Sequence, residues 1–307
     1  MDFVIDATAR ATRKWTIVAV AATVVGIATY LLAVRTTMGQ RIENTALRGA
    51  DHVSHGEYTE AGDALGQITL VSLGVATLLV VLVAVVRREL RVGLVAVATI
   101  GGAQVVTQVL KRFVLTRPDL VETSGPYAHN SLPSGHTTIA ITVLFAVMLV
   151  VPYRIRGLAI LIVTPWAISI GAYTITAKWH RFSDTLAADC VALAVACLVC
   201  LVAVRAGWLD VEGHASRVDP LGRGIIATVM VLAFVVFAGL GIVLWAATWL
   251  GGGSTDTVED NSYLGANMLA AAGSTGAALI FWWTLRKVSL TSPRRAAVPR
   301  RRQIDNP

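Results

Sequence analysis

Apolar stretches of about 20 residues, nearly free of charge, recur along this chain between short polar segments. That is the length a helix needs to cross a bilayer, and eight such stretches are read: about 15–35, 67–86, 91–110, 137–153, 157–175, 185–206, 223–248 and 264–285. The pattern predicts an all-α, polytopic membrane helical bundle. Residues 1–14 form a short lead, 15–206 a six-span core and 207–285 two additional C-terminal spans. Residues 286–307 form a basic, Pro- and Arg-rich tail expected to be disordered. The third span is the least uniform, because Thr99, Gln104, Thr107 and Gln108 sit in it. Polar residues within a span are expected to face the bundle interior, where they find partners.

Composition agrees with this pattern. Hydrophobic residues make up 55% of the 307, and the mean hydropathy is +0.66. A net charge of +7 would point to nucleic acid in a soluble chain, but no basic stripe interleaves with aromatics here, so no nucleic-acid partner is expected. The positive charges instead flank the spans and read as topology signals. With both termini cytoplasmic, 18 of the 26 Lys and Arg fall on the cytoplasmic side, which sets the expected location as the cell membrane, multi-pass. Cys190, Cys197 and Cys200 share one apolar run and read as packing residues rather than as a disulfide framework.

Against that bias, Lys111, Arg112, Arg117, Lys178 and Arg181 remain on the opposite, extracytoplasmic side. They accompany two polar islands, Pro133-Ser134-Gly135-His136 and His180-Arg181-Phe182-Ser183-Asp184, each next to the start of a span. Ser134, Gly135 and His136 open a helix, so backbone N–H groups and the positive end of its dipole favour an anion there. His180 and Asp184 are four apart, on one helical face. Asp189, just inside the sixth span, is either a functional carboxylate or the shallow partner of an outer base. The first outer loop, about 36–66, carries Asp51, His52, His55 and Glu57. That spacing is compatible with a metal, but nothing else supports one, and a solvated amphipathic segment on the membrane surface is the expectation. His129 reads as a loop histidine without a role.

These parts describe phosphoryl transfer through histidine without a metal, since no acidic cluster with ligand spacing is present. His180 is the candidate nucleophile and Asp184 the group that fixes its tautomer. His136 is the candidate general acid and then base. Lys111 and Arg117, with the donors at Ser134 and Gly135, offset charge on the phosphoryl oxygens.

The chain resembles the type-2 phosphatidic acid phosphatases, the lipid phosphate phosphatase membrane family. Its three motifs are a Lys and an Arg-Pro separated by six residues, Pro-Ser-Gly-His, and Ser-Arg, five residues, His, three residues, Asp. Pro133 to His136 match in full, and His180 with Asp184 match the end of the third motif. Five residues, one fewer than in the pattern, separate Lys111 from Arg117-Pro118. Tyr173 and Thr174 stand where the third motif has Ser and Arg, and Lys178 is the expected substitute for the missing charge. The resemblance covers the six-span core. It implies an integral membrane phosphatase without cofactor, acting through a phosphohistidine at the extracytoplasmic face on an amphiphilic lipid phosphate. Phosphatidic acid, phosphatidylglycerophosphate and polyprenyl diphosphate are the substrate classes it suggests. A lipid phosphotransferase with the same intermediate, and a non-enzymatic transporter or scaffold of the same fold, stay open as alternatives.

Overall fold

The computed structural model describes residues 2–68, 70–122, 129–213, 220–250 and 253–293. The described chain is all-α apart from one small two-stranded antiparallel pairing. Its helices are α1 (Asp2–Thr29), α2 (Thr37–Gly49), α3 (His55–Gly66), α4 (Leu70–Val86), α5 (Leu90–Val109), α6 (Gly135–Val150), α7 (Arg156–Thr176), α8 (Phe182–Arg205), α9 (Pro220–Leu250) and α10 (Thr255–Thr284). Wider, π-type turns at Tyr30–Val34 and Leu110–Val114 extend α1 and α5.

Six of these helices are long and apolar enough to cross a membrane, which makes this a multi-pass membrane protein. They are Ala7–Val34, Leu90–Val114, Tyr153–Thr176, Phe182–Arg205, Gly222–Thr248 and Thr255–Thr284. The eight-span expectation is therefore met only in part. Its second and fourth spans are the 17-residue α4 and the 16-residue α6, which at 1.5 Å per residue reach only about 24–26 Å. α6 can be short because it is wrapped in protein, its side chains buried almost without break from Thr137 to Val150. α8 lies beside it, and Ala188, Ala192 and Ala196 let neighbouring backbones come close. α9 instead exposes Leu232, Val236 and Val243, a surface suited to lipid.

The ends of the chain depart from the reading above. The lead is not separate from the first span, since α1 begins at Asp2 and buries Ala7 and Ala11. The tail expected to be disordered begins with a strand, β2 (Val288–Thr291), antiparallel to β1 (Asp210–Gly213) in the register Asp210↔Thr291. The buried Arg156 donates to the carbonyls of Leu285 and Val288 at 3.2 and 3.1 Å, which secures this turn. Composition registers the tail's charge but not these local partners. Residues 294–307 lie outside the described residues.

α10 packs along α2, α7 and α8, so the C-terminal pair is part of the bundle. Asp189 meets Ser274 of α10, whose hydroxyl lies 3.2 and 3.1 Å from its two oxygens, rather than an outer base. The three cysteines are free and buried, as their apolar run implied.

Candidate active site

The two polar islands are joined through backbone. Ser134 N–H donates to the Asp184 carbonyl at 2.9 Å. Ser134 also caps α6, its hydroxyl accepting from Thr137 N–H at 3.3 Å. α5 supports the cap as its polar positions suggested. Gln104 donates to the Gly135 carbonyl at 3.2 Å, and Thr107 and Thr138 share a 3.0 Å hydroxyl contact. His136 stands on the first turn of α6, its ring 5.4 Å from that of Trp179. Lys111 ends the α5 rod, near enough to both His136 and Asp184 for their charges to interact. The Asn130 amide reaches the carbonyls of Lys111, Leu115 and Leu132 and so ties the loop between α5 and α6.

Between α7 and α8 the chain turns over Thr174, whose carbonyl accepts from Trp179 N–H and His180 N–H, both at 3.0 Å. Lys178 takes a left-handed conformation there, with φ 58°. A non-glycine residue held so costs roughly 1–2 kcal/mol. Asp184, on the first turn of α8, then gathers three donors on Oδ2: His180 Nδ1 at 3.1 Å, Arg181 N–H at 2.9 Å and Ser131 Oγ at 2.5 Å. His180 and Asp184 are only 7% and 2% exposed, so this dyad is shielded from bulk water. Burial pushes His180 below the ordinary histidine range, against the raising effect of Asp184. An ionised Asp184 accepts from Nδ1–H at this contact, which leaves the ring's Nε2 for other partners.

Thr174 is buried, and its hydroxyl bonds back to the Gly171 carbonyl at 2.7 Å, so its side chain holds its own helix rather than an anion. Lys178 forms an ion pair with Asp51 and lines the outer cavity. The cation that enters the site is Arg181, 3% exposed, with Nη1 3.4 Å from Ser131 Oγ and Nη2 3.4 Å from Asn44 Oδ1. Arg117 comes to the same place, 3.5 Å from Asn44 Oδ1 and 3.7 Å from Glu43 Oε2. Burial and the neighbouring Arg181 both act to lower its pKa.

Glu43 and Asn44 belong to α2, in the loop expected to be a solvated surface segment. That expectation is corrected, because α2 buries Gln40, Glu43, Asn44 and Leu47. Its inner face is polar and finds partners in the site, so hydrophobic patterning cannot reveal it. Glu43 Oε1 accepts from Ser183 N–H at 3.0 Å, and burial together with Asp184 raises its pKa above the usual carboxylate range. The residues with metal-like spacing disperse. Asp51 goes to Lys178, His52 to Asp260 at 2.7 Å, and Glu57 to the cap of α3 at Ser54. Among the described residues no three His, Cys, Asp or Glu group to hold a metal.

A cavity of about 430 Å³ opens over the dyad, lined by Tyr58, His129, Ser131, Lys178, Trp179 and Arg181 among others. His129 is thus a wall residue. The structure brings together Lys111, Arg117, Ser134, Gly135, His136, His180 and Asp184, leaves Lys178 at the rim, and adds Arg181, Ser131, Glu43 and Asn44.

Residues 92–208 match the PAP2 superfamily. The match takes in α5 to α8 and all three motif regions, and it accords with a member of the type-2 phosphatidic acid phosphatases. The similarity is confined to this segment of the multi-pass chain. α1 to α4, α9 and α10 lie outside it. No curated protein and no solved structure matches the chain.

Proposed function

We propose that this protein hydrolyses a lipid phosphate or a polyprenyl diphosphate through a phosphohistidine at His180, on the extracytoplasmic face, with both termini cytoplasmic. The observation that carries the reading is the buried His180–Asp184–Ser131 chain beside Arg117 and Arg181. Asp184 accepts from Nδ1–H and leaves the Nε2 lone pair to attack phosphorus. As the N–P bond forms, the P–O bond to the lipid alcohol or lipid phosphate breaks, and His136 protonates the leaving oxygen. Asp184 offsets the positive charge that the ring acquires. Water, deprotonated by His136, then attacks phosphorus and restores neutral His180. Lys111, Arg117, Arg181 and the N–H group of Gly135 hold the non-bridging oxygens, whose charge is the main demand of such a transition state, while Ser134 N–H stays with the Asp184 carbonyl.

Residues 15–206 act as the catalytic core under this reading, needing neither metal nor cofactor. The amphiphile enters sideways between helices with its head at the cavity. The test is phosphate release by purified protein from a panel of lipid monophosphates and diphosphates, with and without chelator, beside His180→Ala. Chelator-resistant release that His180→Ala abolishes supports the proposal. Transfer of phosphate to an alcohol without release favours the phosphotransferase. No turnover above the variant on any substrate favours a non-enzymatic role.

A further inference from the structure

Two buried guanidinium groups of like charge stand side by side at the site, with the Asn44 amide oxygen within reach of both and the Glu43 carboxylate 3.7 Å from Arg117. Asn44 Oδ1 is 3.5 Å from Arg117 Nη2 and 3.4 Å from Arg181 Nη2. We propose that Asn44 is a positioning residue that aligns Arg117 and Arg181 as a paired phosphate clamp, and that α10 holds it in place; this rests on the phosphatase reading.

The chemistry favours an amide here. Glu43 already lies 3.7 Å from Arg117, and a second carboxylate at position 44 would neutralise more of the arginines' charge, leaving less for a phosphoryl group. An amide oxygen accepts from both forks and adds no negative charge. Glu43, the preceding residue, fixes the same segment by accepting from Ser183 N–H, at the start of α8.

α2 owes its position to α10. A Cβ added to Gly49 would lie 2.1 Å from the Glu259 carbonyl oxygen, so the helices touch backbone to backbone. Arg48 pairs with Glu259 at 2.5 Å, and His52 with Asp260 at 2.7 Å. The same helix supports the His180 turn, since Tyr263 and Thr176 hydroxyls meet at 2.8 Å. α10, outside the PAP2 segment, thereby gains a role in completing the site.

The experiment compares wild type, Asn44→Leu, Asn44→Ala and Asn44→Asp in detergent, measuring kcat/KM for phosphate release and the Kd of orthovanadate, which imitates the phosphoryl transition state. Asn44→Leu and Asn44→Ala are each expected to lose about 10- to 100-fold in both, the scale of one charge-assisted hydrogen bond. Asn44→Asp keeps an acceptor at the same place but adds a negative charge beside both arginines, and is expected to bind orthovanadate more weakly than wild type. A merely structural residue would change Tm while folded protein kept its Kd. Asn44→Leu or Asn44→Ala binding orthovanadate as wild type does would overturn the inference, and Asn44→Ala serves if the leucine does not fold. Wild type that binds orthovanadate without turnover defeats the phosphatase reading alone, because the Kd series still decides the role of Asn44. Wild type that binds no orthovanadate defeats both.

Discussion

Arg181→Ala is the most informative single substitution. The side chain is 3% exposed, and its guanidinium lies 3.4 Å from both Ser131 Oγ and Asn44 Oδ1. Under the proposed mechanism its main contribution is the charge presented to phosphate. Removing one fixed donor to transition-state charge costs about 10²–10³ in kcat, or roughly 3–4 kcal/mol. The substitution leaves the dyad intact, because residue 181 serves Asp184 through its backbone N–H. Arg181→Lys keeps the charge but loses the planar fork, and should fall between wild type and alanine. The assay is phosphate release under saturating substrate, with Tm recorded alongside, because Asp184 and Glu43 lose a buried cation nearby. Lys178→Ala is the comparator, since Lys178 sits at the rim and is paired with Asp51. It should cost less than tenfold. Wild-type kcat in Arg181→Ala, or a larger loss in Lys178→Ala, would refute the assignment of the clamp to Arg181.

Three other outcomes follow from the same geometry. Ser131→Ala removes the 2.5 Å donor from Asp184 and should lower kcat about tenfold, with Tm little changed, as checked by steady-state kinetics. Catalysis needs neutral His180, which burial holds below the ordinary value of 6.5. The acid limb of kcat/KM in a pH profile should therefore lie below 6.5, where falling pH protonates His180; an acid limb above 6.5 would contradict this. Gly49→Val drives a side chain into the Glu259 backbone and should both lower Tm and reduce kcat/KM, while a surface control such as Gly62→Ala, where a Cβ meets nothing, should change neither.

Much of the architecture could be read in the sequence because lipid imposes a simple code. Long apolar runs located α5 to α9 to within a few residues, whereas α10 begins at Thr255, nine residues before the run read at 264–285, and Gln104 and Thr107 announced an inward face that the structure confirms. The span count was harder. α6 is shielded by other helices, so its length is set by packing rather than by bilayer thickness. In the site, Ser134, His136, His180 and Asp184 were legible because helix starts and i,i+4 spacing carry local meaning. Arg181 is harder to read because motif spacing points to Thr174 and proximity to Lys178. Nothing local distinguishes an arginine that folds inward at a helix N-cap from one at an interface. Glu43 and Asn44 lie more than 130 residues from their partners Ser183 and Arg181. Their role exists only once α10 has drawn α2 over the site.

The central claim is the covalent intermediate at His180. Rapid quenching of wild-type protein with phosphate-labelled lipid substrate, followed by peptide mapping under alkaline conditions that preserve phosphohistidine, tests it directly. The label is expected on His180, accumulating when His136→Ala slows its hydrolysis and absent from His180→Ala. Turnover with no labelled histidine, or with the label on another residue, would contradict the account.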